Sequence, residues 1–200
     1  MLIDVEECQL VLVDFQPALQ PAMHDASTVW DNAARLAQAA RILEVPVWGT
    51  EQNPSKLGAM SPPLRDACRK VLAKMQFSAV EEGLAEWLEP PVAAPRGNAR
   101  SLPRHLQKPQ PEQAARKSIV LAGVEAHVCL LQTALDLLEE EFDVWVVTDA
   151  CASRTERNRD AAYDRLAGAG AELVTTEMVL FEWLRTAEHP DFKAVQALIK

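Results

Sequence analysis

Three side chains with complementary chemistry stand at the ends of strand-like runs. Asp14 closes QLVLVD, Lys74 closes RKVLAK, and Cys129 lies one tight turn past SIVLAG. A thiolate is a good nucleophile, but a free thiol with a pKa of about 8.5 is mostly protonated at neutral pH. A helix start and a nearby lysine would both favour the anion. A carboxylate could take the thiol proton and later return it to a leaving amine. Each residue also has a plainer use: Asp as a turn former, Lys as an exposed strand end, Cys as core filling on an apolar helix. Spacing alone leaves both readings open.

Residues so far apart in sequence meet only if the fold brings their strand ends to one rim. The chain alternates short β-rich runs with helical patterns, which points to an α/β fold. The expected strands are Gln9–Asp14, Val45–Thr50, Arg69–Lys74, Ser118–Gly123, Asp143–Asp149 and Ala171–Thr175. Helices are expected at Thr28–Leu43, Val80–Leu88, about Ala126–Glu140, and Glu156–Ala167, with two short ones at the end. Right-handed crossovers make this a three-layer α/β/α sandwich around a six-stranded parallel sheet. Ligands in such sheets bind beyond the C-terminal strand ends, where all three residues stand.

The 200 residues, 48% hydrophobic, are expected to form one domain with a real core. A formal charge of −9 argues against nucleic acid as the main partner and disfavours docking on an anionic membrane. The start, MLIDVEECQL, carries Asp4, Glu6 and Glu7 rather than a basic leader, and no apolar run reaches membrane length. Four scattered cysteines (Cys8, Cys68, Cys129, Cys151) form neither a CxxC pair nor a zinc pattern, so a reduced, cytoplasmic setting is expected. No GxGxxG or P-loop motif supports a nucleotide cofactor.

One stretch breaks the rhythm. Residues 89–117 hold six of the thirteen prolines, and six Lys or Arg against two Glu give it +4, leaving −13 for the rest. Such proline density opposes regular structure, so a basic surface insertion is expected. A lid, or an arm docking on an acidic neighbouring subunit, is the alternative.

LVLVDFQ around Asp14, AKMQFSA around Lys74, GVEAHVCLLQTALDLL around Cys129 and then VWVVTDACASR occur in an order that resembles the isochorismatase-like cysteine hydrolases. GVEAHVC together with Thr50–Gln52 (TEQ) is most similar to the branch of isochorismatase domain-containing proteins. The resemblance implies Cys129 as nucleophile, Asp14 as general base and then acid, and Lys74 as the cation that steadies the thiolate. It implies a cis peptide at Val124–Glu125, with the Glu125 and Cys129 N–H groups facing an oxyanion. It also implies a small-molecule substrate with an amide or related C–N or ester-type bond, and a homo-oligomer. Metal-binding relatives carry histidines after the second strand. TEQNPSKLGAM has none, so no metal or other cofactor is expected, and nicotinamide is disfavoured. True isochorismatases lack the nucleophilic cysteine, so Cys129 argues against that activity.

Phe15, Gln16 and Phe77 flank the three residues as possible pocket lining, with core packing the alternative for the two phenylalanines. His127 stands two residues before Cys129, where helical geometry points the two apart. A non-catalytic scaffold or ligand-binding member of the fold is the alternative to a hydrolase.

Overall fold

The strand β1 (Cys8–Val13, CQLVLV) is buried at every position, as a strand covered on both faces must be. In the computed structural model, which describes residues 2–89 and 116–200, β1 lies inside a six-stranded parallel sheet. The others are β2 (Val47–Gln52), β3 (Lys70–Lys74), β4 (Ser118–Val124), β5 (Asp143–Ala152) and β6 (Glu172–Val174). Their order is β3-β2-β1-β4-β5-β6. The winding direction reverses between β1 and β4, the place where sheets of this kind take their ligands, beyond the C-terminal strand ends.

Alternate strand residues serve two cores. Leu10, Leu12, Val120 and Val147 pack with α1 (Ala26–Ile42) and α7 (Thr176–Leu184). Val11, Val13, Leu121 and Val146 pack with α5 (Leu131–Glu139) and α6 (Glu156–Ala169). The helices α6 and α7 start at Thr155 and Thr175, whose side chains accept hydrogen bonds from the N–H groups of Asn158 and Met178. Short helices α2 (Pro54–Leu57), α3 (Pro62–Arg65), α4 (Leu84–Leu88) and α8 (Phe192–Gln196) complete the set described. No described helix is long and apolar enough to cross a membrane.

Two expectations need correction, and one stretch adds elements that were not expected. The helix after β4 does not begin as an α-helix: Ala126–Leu130 forms a π-turn, and α5 starts at Leu131. Strand β5 runs to Ala152 rather than ending at Asp149, because its pairing with β4 shifts between Leu121 and Gly123. The helices α2 and α3 lie between β2 and β3, where no element was expected; prolines open both, as suits a first turn.

Gly123 is required by close approach. Its φ is +153°, and a Cβ there would lie 2.4 Å from the Val13 carbonyl oxygen and 2.9 Å from its Cα. Most of the proline-rich stretch, residues 90–115, lies outside the described residues. Its flanks are held together, since the buried Gln9 donates through Nε2 to both Leu88 O and Arg116 O at 2.9 Å. Gln9 Oε1 in turn accepts from Trp48 Nε1 at 2.8 Å, and Lys117 pairs with Glu89 at 2.6 Å.

Candidate active site

Asp14 follows the last residue of β1 and turns the chain with a left-handed φ of 54°. That conformation is uncommon for a residue with a Cβ, though Asp tolerates it better than most. Its N–H bonds Thr50 of β2, and the Thr50 hydroxyl donates to Asp14 Oδ1 at 2.6 Å. The other oxygen, Oδ2, lies 2.9 Å from Lys74 Nζ at the end of β3, with both side chains fully buried. This close contact is not an aligned hydrogen bond, and Oδ2 has no hydrogen-bond donor. Lys74 Nζ donates instead to Gln52 Oε1 at 2.6 Å, Phe77 O at 3.0 Å and Gln76 O at 3.4 Å. The ammonium therefore acts on the carboxylate as a charge and leaves an Oδ2 lone pair free.

Cys129 is the fourth residue of the π-turn and is 7% exposed. Such turns often mark functional sites, since they re-aim side chains within a helix. Its Sγ lies 3.8 Å from Gln52 Oε1. Burial pushes the thiol up from its ordinary 9.0 to about 12; Asp14 adds to the rise and Lys74 opposes it. Lys74 favours the anion, as expected, but burial outweighs it. The shift favours the protonated thiol, so any role as a nucleophile would require a base.

The Val124–Glu125 peptide is cis. The Glu125 side chain pairs with Arg154 at 2.8 Å, and His127 Nδ1 meets Ser153 Oγ at 2.9 Å. Both contacts fasten the turn to the chain after β5, so His127 has a structural partner of its own. Phe15 is fully buried, its ring edge-on to Trp30 at 4.9 Å, which makes it core rather than pocket wall. Phe77 is 51% exposed, as is Met75 at 65%, both on the loop that carries the Lys74 acceptors. Gln16 does not line a pocket: it is fully buried and clamps Gln52, accepting from its N–H at 2.8 Å and donating to its carbonyl at 3.0 Å. Sequence reasoning assigned no role to Thr50 or Gln52, whose polar contacts exist only across strands. Three surface clefts are lined by other residues, the first by Leu2, Met178 and Phe181 among others. Among the described residues no group of three His, Cys, Asp or Glu is placed to hold a metal ion.

The family model of the isochorismatase domain matches residues 103–178. Isochorismatase domain-containing protein 2 of Xenopus laevis is 37% identical over 190 residues, covering 95% of this chain and 82% of its own. A solved structure described as MAR1 ribonuclease from Caenorhabditis elegans superposes with a TM-score of 0.83 at 30% identity, covering all of this chain and 92% of its own. The YcaC gene product of Escherichia coli, described as an octameric hydrolase of unknown specificity, shares the fold at a TM-score of 0.77 and 24% identity, covering 98% of this chain and 95% of its own. With a relative of this similarity matched over most of both chains, the chain belongs to the isochorismatase-like family, whose hydrolase fold it shares.

Proposed function

We propose that this chain is one metal-independent cysteine hydrolase domain with a basic insertion, acting on a small amide or related C–N or ester-type bond. The observation that carries the proposal is the free Oδ2 lone pair of Asp14, held in a buried ion pair with Lys74 near Cys129. In this reading Sγ attacks the carbonyl carbon while its proton passes to Asp14. The Glu125 and Cys129 N–H groups face the oxyanion, which collapses to a thioester as the C–N bond breaks. The leaving amine departs with the proton from Asp14. Water then attacks the thioester, Asp14 takes one of its protons, and that proton returns to sulfur as the acid leaves. The cationic Lys74 offsets negative charge throughout.

The family expectation of a homo-oligomer and the cytoplasmic setting suited to four unpaired thiols belong to the same proposal. The nematode neighbour is described as a ribonuclease, but a chain of net charge −9 is poorly suited to a polyanionic substrate.

An electrophilic probe such as iodoacetamide should label Cys129, and Asp14→Asn or Lys74→Ala should slow labelling by about a hundredfold. Equal labelling in all three proteins would sink the triad. The low exposure of Cys129 favours a second reading, a non-catalytic scaffold. A screen of small amides decides between them, because a scaffold gives no turnover that Cys129→Ala abolishes.

A further inference from the structure

We propose that Gln52 is a positioning residue of the triad, whose carboxamide keeps the Lys74 proton off Asp14 and so preserves the base. This rests on the cysteine-hydrolase reading and deepens it. Gln52 ends β2, with its main chain clamped on both sides by the Gln16 side chain. Its Nε2 donates to Met75 O at 2.8 Å and its Oε1 accepts from Lys74 Nζ at 2.6 Å. The amide cannot be reversed, because its NH2 would then face an ammonium. Oε1 is thus fixed where it also lies 3.8 Å from Cys129 Sγ and can accept from the thiol. The carbonyls of Gln76 and Phe77 hold Lys74 from its other side.

Without Oε1, one Lys74 N–H loses its acceptor, and Asp14 Oδ2 at 2.9 Å is the adjacent one. The lysine then donates to the lone pair that should receive the thiol proton. A carboxylate in place of the amide would keep the lysine bond but add a negative charge beside the sulfur. The charged groups that already act on the thiol are Asp14 and Lys74.

The test is the rate of Cys129 alkylation by iodoacetamide from pH 6 to 9, on full-length protein with circular dichroism as a folding control. Gln52→Leu should react about tenfold or more slowly at neutral pH. Gln52→Glu should move the rate profile upward by about one pH unit. If Gln52→Leu fails to fold, the Gln52→Glu shift decides alone. A leucine variant as fast as wild type, or a glutamate variant with an unmoved profile, overturns the proposal. Asp14→Asn in the same assay separates the two readings. Slowing there without slowing in Gln52→Leu removes only the role of Gln52, whereas no slowing in Asp14→Asn removes the hydrolase triad itself.

Discussion

Lys74 and Asp14 carry opposite charges in a place without solvent, so each depends on the other more than a surface pair would. Replacing Lys74 by Met leaves an uncompensated carboxylate and should cost about 3–5 kcal/mol in urea unfolding. The double variant Asp14→Asn with Lys74→Met should recover much of that loss, because no buried charge remains. A double variant as unstable as the two single losses added would show that the pair is not coupled. In the proposed hydrolase the same contact that needs compensation would also hold a base beside a thiol. The placement of Asp14, Lys74 and Cys129 was legible because strand ends in a parallel sheet share a rim. Gln52 was not, since a glutamine after an apolar strand reads as a solvated end until its cross-strand partners are known.

Strands β1 and β4 pair in unbroken register from Cys8 opposite Ser118 to Val13 opposite Gly123, and that contact sets Asp14 and the Val124–Glu125 turn side by side. Gly123→Ala should therefore destabilise the fold by about 3 kcal/mol or more, because the obstructing atoms include Val13 backbone that cannot move aside. Thermal melting measures it, and an unchanged midpoint would mean the two strands can separate without loss. These strands were readable because continuous apolar runs buried on both faces leave few alternatives. The π-turn was not, since five residues are too few for a period to distinguish it from an α-helix. The extension of β5 escaped for a different reason: Asp149 and Ala150 look like a strand end, and only the shifted register against β4 lets the strand resume at Cys151.

Across the whole molecule, all four thiols are shifted in the same direction. Burial pushes Cys8, Cys68, Cys129 and Cys151 from the ordinary 9.0 up to about 12. Folding thus favours the protonated form. The stabilisation is whole below pH 9 and is lost as pH climbs through about 12. The melting temperature should hold steady up to pH 9 and fall above it, and a flat profile to pH 11 would contradict the burial of these groups. The clamp made by Gln9 works at the same scale. By returning the chain at Arg116 to the point it left at Leu88, one carboxamide closes the sheet's accounts before and after the excursion. A change in the length of the connection between those two residues would therefore leave the pairing of β1 with β2 and β4 in place.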